Sequence, residues 1–400
     1  ATFKGIRRAD GRVGPRNFIA LCSTVNCSAT VIRHIAERIN KSGILASYPH
    51  IDGVIALSHG SGCGMADTGE GFEALERVLW GHATHPSVTA AIFVGLGCEV
   101  MQIGRLKQKY GFGEDHFHTL TIQETGGTRK TIETASRMIE DLLPRLPVIE
   151  RTDCPAGDLI VALECGGSDG YSGITANPAL GRAADILVEY GGTAVLSETP
   201  EIYGAEHLLV RRAVSQEVGQ KLIERIRWWE DYTTRNKGEM NNNPSPGNKA
   251  GGLTTILEKS LGAAAKGGTS PLADVALYAE KITTKGLVFM DSPGYDPAAT
   301  TGQIATGAQL VCFTTGRGSA FGSKPAPTIK LATNSRLYAS MEEDMDINCG
   351  DIVDGDATID SKGEEIFRRI LAVASGERSK SELLGLGDNE FVPWQIGATM

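Results

Sequence analysis

Four times between Asn17 and Leu143 a short apolar run gives way to a stretch whose apolar positions recur every three to four residues. The runs are "NFIALCS", "DGVIALSHG", "VTAAIFVGLG" and "FHTLTIQE". The stretches that follow them are "ATVIRHIAERINKSG", "GEGFEALERVLWGHA", "EVMQIGRLKQKYG" and "RKTIETASRMIEDLL". Short β-rich runs predict strands, and spacing near 3.6 predicts helices. Their alternation predicts a Rossmann-like parallel sheet in an α/β domain over residues 1–150. "PRLPVIERTDCPAG", residues 144–157, carries three prolines and no period, so a domain boundary falls there.

The pattern resumes with the strand "DLIVALE", the helix "NPALGRAADILVEYG" with Pro178 in its first turn, and the strand "GTAVLSE". A long helical region runs to about Arg235. "NKGEMNNNPSPGNKAGGLTT", residues 236–255, is too polar and too rich in Asn, Gly and Pro for a core element, and reads as a functional loop or lid. Residues 151–400 therefore form a larger, C-terminal α/β domain.

In a parallel sheet every strand-to-helix turn lies at one edge, where open α/β sheets bind ligands. The turns "NCS", "HGSGCG", "GCE" and "QETGG" carry Cys27, His59, Cys63, Cys98, Glu99 and Glu124 to that edge. Tight turns explain the glycines but not the repeated Cys, His and Glu beside them. The second half adds "ECGGSDGYSGITANPALG", "SETPEIYGAEH", "NNNPSPGNK", "MDSPGYDP", "TTGRGSAFGSKPAP" and "EEDMDINCGD". Carboxylates in these segments can bind a hard divalent ion or move protons. Arg317 can hold a carboxylate with two parallel hydrogen bonds. Ser168, Ser172, Asn177, Asn243 and Thr315 can bond a polyol.

Composition narrows the ligand. The net charge is −9 with no basic block, which speaks against nucleic acid. No apolar run nears a membrane span, and the first residues contain no apolar signal segment, so the expected location is the cytoplasm. There the eight cysteines are thiols or metal ligands rather than disulfides. Aromatics are 6%, too few for a large planar ligand. No G-x-G-x-x-G follows the first strand, no G-x-S-x-G elbow occurs, and there is no C-x-x-C pair. A small, charged, hydroxyl-rich molecule fits what remains.

Taken in order, "DGRVGPRN", "VNCSATV", "HGSGCGMADTGEG", "VGLGCE", the Glu164–Gly181 stretch, "SETPEIYGAEHLL", "NNPSPGNKAGGLTTILEKSLG", "MDSPGYDPAATTGQIATGAQL", "CFTTGRGSAFGSKPAPTIK", "MEEDMDINCGD" and "DNEFVPWQIG" resemble the altronate/galactarate dehydratase family across essentially the whole chain. The resemblance implies a hydro-lyase that converts an aldonic or aldaric acid to a 2-keto-3-deoxy acid with Fe2+ or another divalent ion such as Mn2+. Residue type alone then nominates the roles: metal ligands drawn from Cys63, Cys98, Glu99, Cys165 and Cys349, with His59 a further candidate. Lys249, Lys324 and His207 compete for the base, Asp169, Glu198 and Glu201 for the acid or for substrate hydroxyls, and Arg317 is the preferred carboxylate clamp. The thiol count also permits an iron–sulfur cluster, ranked below a single ion. Many members of the family carry a small N-terminal SAF domain; its function could fall to a separate small subunit. Two alternatives follow: the large subunit of a C–S lyase such as sulfolactate sulfo-lyase, and a non-catalytic sugar-acid-binding subunit. A homo-oligomer is expected.

Overall fold

The computed structural model describes residues 1–111 and 116–400. The fold is α/β, and each apolar run named above forms a strand. Fourteen strands occur among the described residues: β1 (Thr2–Arg7), β2 (Val13–Gly14), β3 (Phe18–Ser23), β4 (Gly53–Leu57), β5 (Val88–Gly95), β6 (Phe117–Thr121), β7 (Thr152–Pro155), β8 (Ile160–Cys165), β9 (Thr193–Leu196), β10 (Leu272–Ala276), β11 (Gly286–Met290), β12 (Leu310–Thr315), β13 (Thr328–Ala332) and β14 (Ile347–Asn348).

They form three sheets. A parallel sheet in the order β4-β3-β5-β6 carries the first four strand–helix units. A second parallel sheet runs β10-β11-β9-β8-β12-β13-β14. A small antiparallel sheet, β2-β1-β7, joins the beginning of the chain to the segment between the larger sheets. In the seven-stranded sheet β8 is the point where the order turns back, with β9 on one side and β12 on the other. In the four-stranded sheet β3 has that position, between β4 and β5. Ligands bind outside the carboxyl ends of strands at such reversals.

The central strands are buried along their length, as strands covered on both faces must be. One apolar core joins Ala20 and Phe93 of the smaller sheet with Val195, Val288 and Met290 of the larger one. Helix Glu70–Ala83 packs there against helix Asp296–Thr306, with the Gly81 backbone on Ala305. The segment 236–255 is not structureless. It holds a turn of 3-10 helix, Met240–Asn242, and a short helix, Pro246–Ala250, opened by a reciprocal Ser245–Asn248 cap. No helix among the described residues is long and apolar enough to cross a membrane.

Three histidines are built in as neutral rings. His85 donates from Nε2 to Ala308 O at 2.9 Å and accepts from Ser87 N at 3.1 Å, tying β5 to the second half of the chain. His59 bonds Ser23 O and Ser61 N, and His82 bonds Val78 O. Burial pushes His59 and His82 down to about 4 and His85 to about 3. The unfolded chain therefore takes up protons near pH 6.5, before the folded one does, and stability falls as pH falls from there toward 4. A tenfold change in proton affinity corresponds to about 1.4 kcal/mol. Melting temperature should drop steeply across that window. His85→Gln, which keeps a donor to Ala308 O, should flatten the drop; an unchanged slope would clear His85 of the effect.

Candidate active site

At the carboxyl edge of the seven-stranded sheet a cluster of buried ionisable groups assembles from three elements. β8 ends on Cys165, and β9 leads through Ser197 into Glu198 and the 3-10 turn Thr199–Ile202, which carries Glu201. Helix Ile256–Ala265 supplies Lys259, and Lys266 caps its carboxyl end, where the helix dipole favours a cation. Cys165, Glu198 and Glu201 bring their donor atoms within 4.8 Å of one another. Lys266 Nζ lies 2.9 Å from Cys165 Sγ and 3.1 Å from Glu198 Oε2. Lys259 Nζ donates to Glu201 Oε1 at 2.6 Å and to Asn243 Oδ1 at 2.5 Å, while Asn243 Nδ2 donates to the same Glu201 oxygen at 2.8 Å.

The environment separates these groups by charge. Glu164 is pushed well above the usual carboxylate range by burial and by Glu198. Burial and Glu201 also raise Glu198, against the pull of Lys266. Burial opposes ionisation of Glu201 too, but Lys259 and Lys266 outweigh it and hold that carboxyl below its usual value. Burial raises the Cys165 thiol well above the ordinary range. Lys266 has no exposed side chain to speak of, yet its neighbours Cys165 and Glu198 overcome burial and keep it charged.

The turn is held rigidly. Glu198 sits at φ +70°, a left-handed conformation that costs a non-glycine residue about 1–3 kcal/mol. Ser292 fixes it: its Oγ accepts from Glu198 N at 2.9 Å and its carbonyl from Thr199 N at 3.0 Å. Beside it Asp291 accepts from Thr199 Oγ1 at 2.6 Å and Trp229 Nε1 at 2.8 Å.

A cavity of about 520 Å³ opens over this cluster. Cys165, Glu201, Asn243, Lys259, Asp296 and Arg317 line it. Asp296 is pushed up to about 7 by burial and by Glu198 and Glu201. Gly166 lets that carboxyl approach, since a Cβ there would stand 2.0 Å from Asp296 Oδ2. Arg317 is exposed at the cavity, and among the described residues it carries no ion pair. The segment 236–255 forms one wall through Glu239, Asn242, Asn243 and Asn248.

Of the residues singled out from sequence, Cys165, Glu201, Asn243 and Arg317 line this cavity and Glu198 stands in the cluster beneath it. Others support it. Asp169 Oδ1 accepts from Ser172 N and Oγ, both at 3.0 Å, and from Thr333 Oγ1 at 2.9 Å. Ser168 O accepts from Asn248 Nδ2, tying the two loops together. Asn177 bridges Gly262 O and Thr314 Oγ1, and Thr315 Oγ1 accepts from Gly318 N.

The remainder lie elsewhere. Lys249 and His207 are exposed and outside the lining. Lys324 pairs with Asp388 at 2.5 Å and lines a separate cavity with Arg16 and Asp52. Cys349 is packed in the core with Ile347 and Ile366. His59, Cys63, Cys98 and Glu99 occupy the edge of the other sheet, where Glu99 accepts from Thr24 Oγ1, Leu96 N and Gly97 N. Lys259 and Lys266 were not anticipated. Their signal was a pair of lysines seven residues apart, hence on one helical face, in an otherwise Ala- and Leu-rich segment.

The C-terminal model of the D-galactarate/altronate dehydratase family matches residues 156–399, and the model of the second domain of D-galactarate dehydratase/altronate hydrolase matches residues 5–147. The chain is 36% identical over 377 residues to an altronate dehydratase of Bacillus subtilis, covering 94% of this chain and 74% of that one. It is 38% identical over 388 residues to the L-threo-forming galactarate dehydratase of Escherichia coli, covering 94% and 73%. It is also 31% identical over 394 residues to the beta subunit of a (2R)-sulfolactate sulfo-lyase from Chromohalobacter salexigens, covering 98% and 96%.

Removing one partner from a buried ion pair costs about 3–5 kcal/mol. Lys266→Met should therefore lower unfolding free energy by that order in denaturant titration. Adding Glu198→Gln should restore part of the loss, because it removes the unpaired acid. Wild-type stability in the single variant would mean that the ammonium is not what balances these groups.

Proposed function

The chain belongs to the D-galactarate/altronate dehydratase family, and from that premise we propose that it removes water across C2 and C3 of an aldonic or aldaric acid to give a 2-keto-3-deoxy acid. It is an enzyme, a carbon–oxygen lyase. The observation that carries the reading is the cavity whose floor combines Cys165, Glu201 and Lys259, with Asp296 beside them poised near neutrality. Dehydration of this kind takes the proton next to a carboxylate and expels a hydroxyl from the neighbouring carbon. It calls for cations around the substrate carboxylate and a proton carrier that works near pH 7.

Arg317 and Lys259 are the cations of the cavity, and in this reading they hold the carboxylate as negative charge builds on it. Asp296 takes the C2 proton, since a group near pH 7 is both basic enough to accept it and acidic enough to return it to the departing oxygen. Asn243, bonded to Glu201 and Lys259, orients both. The chemistry of the donor set fits a divalent ion. A thiol and two carboxyls converge, and Glu198 Oε1 is buried without a hydrogen-bond partner. Cys165, Glu198 and Glu201 would hold it. When bound, such an ion supplies Lewis acidity to an oxygen that gains charge in the reaction.

An anaerobic assay of the chain with ferrous ion tests this against D-altronate, galactarate, related aldonates and sulfolactate. A 2-keto-3-deoxy product that vanishes with chelator is expected; sulfite release from sulfolactate instead would assign it to C–S cleavage. Arg317→Ala should raise KM about tenfold or more and lower kcat as well, since the guanidinium meets charge that builds during the reaction. Asp296→Asn should lower kcat by about 10²–10⁴-fold, the usual span for a lost proton carrier. Wild-type kinetics in either variant would remove that residue from the reaction.

A further inference from the structure

We propose that Cys27, Cys63 and Cys98 form a second metal site, a three-thiolate seat for a four-iron, four-sulfide cluster at the edge of the four-stranded sheet. The eight cysteines divide sharply. Cys22, Cys154, Cys165, Cys312 and Cys349 are buried, and only Cys27, Cys63 and Cys98 are exposed. Buried cysteine behaves as a small hydrophobe and needs no further explanation. Exposed free thiols are unusual, and these three follow β3, β4 and β5, the three strands that meet at the order reversal of their sheet.

The loops that carry them are fastened to one another. Asn26 N, next to Cys27, donates to Ser61 O at 2.9 Å. Val100 N and Met101 N, just after Cys98, donate to Gly62 O at 2.9 and 3.1 Å, and Gly62 precedes Cys63. Gly62 has φ +95°, and a Cβ on it would stand 2.0 Å from Thr24 O, so the three turns close on a point that only glycine can occupy. Glu99 completes the fastening by accepting from Thr24 Oγ1 at 2.7 Å. Beside the site, Gln123 Nε2 lies 3.8 Å from Cys98 Sγ, within reach of a sulfur hydrogen bond.

Spacing speaks against a single ion held by all three sulfurs. Tetrahedral zinc at about 2.3 Å from each sulfur brings the sulfurs to within about 4 Å of one another. The three sulfurs do not all lie within 4.8 Å of one another, whereas Cys165, Glu198 and Glu201 do. A cubane spreads its thiolates farther apart, and thiolates are its usual ligands. Three of them bind three irons and leave the fourth to water or a substrate oxygen. Two ferrous ions, two ferric ions and four sulfides make the doubly positive core, and the three thiols release three protons as they bind it.

The test is anaerobic reconstitution of the full chain with equal ferrous and ferric iron and sulfide, followed by desalting. Visible charge-transfer absorbance and roughly four irons and four sulfides per chain are expected in the wild type. Cys27→Ser, Cys63→Ser and Cys98→Ser, exposed and so expected to fold, should each lose most of the absorbance with unchanged circular dichroism. Cys165→Ser should keep it, which separates this site from the cavity of the larger sheet. Absence of retained iron and sulfide in the wild type would overturn the proposal. So would loss of absorbance in Cys165→Ser alone, or a tight cobalt–thiolate spectrum on these three cysteines without cluster retention.

Discussion

Everything at the larger sheet's edge depends on two ammonium groups placed among buried acids. Glu164, Glu198, Glu201 and Cys165 are all buried, and no arrangement of carboxyls alone would leave any of them charged. Lys266 reaches Cys165 and Glu198 from the end of its helix, and Lys259 reaches Glu201 from about two turns earlier on the same face. The outcome is graded rather than uniform. Glu201 stays ionised, Glu164 and Glu198 are driven toward protonation, and Asp296 is left near neutrality at the cavity. Divergent proton affinities among neighbouring acids are what acid–base chemistry requires.

Such a balance works only if the groups cannot drift. The backbone conformation of Glu198 is unfavourable by itself, so the surroundings must impose it. Ser292, directly after Asp291, binds the turn through its hydroxyl and its carbonyl, and Asp291 is clasped by Thr199 and by Trp229 from a long helix. The strain sits at the residue whose carboxyl meets Lys266. Hydrogen bonds and packing around the turn are thus used to hold one carboxyl in position.

The strand–helix alternation was legible because buried parallel strands and amphipathic helices have different periods, and "NFIALCS" or "DLIVALE" permits little else. Cys165, Glu198, Glu201, Asn243 and Arg317 were legible as well, each standing in a polar segment just after a strand or in the long Asn-rich stretch. Lys249, Lys324 and His207 were chosen because a proton carrier was needed and they lay in polar loops. Lys249 and His207 fall on short helices that leave them facing solvent. Lys259 and Lys266 hid in a helix that reads as ordinary, since their role depends on which face the tertiary packing turns inward. Cys349 stood beside a glycine as Cys63 and Cys98 do, but its position after the edge strand β14 leaves it in the core. Residue type in a motif indicates what chemistry is available; sheet order decides which residues meet.

That last point governs how the two sheets divide their donors. Each has a strand at which the order reverses, and each collects its chemistry there, β8 in one and β3 in the other. At β8 the donors are mostly carboxyls and ammonium groups, buried and mutually compensated. At β3 they are thiols, exposed and unpaired with any cation among the described residues. Hard oxygen donors and soft sulfur donors select different ions, so a chain with both kinds of edge need not choose one metal for both. The acids beneath the cavity have two lysines to balance them, whereas a metal core bound at the three thiols would itself supply the positive charge that draws off their protons.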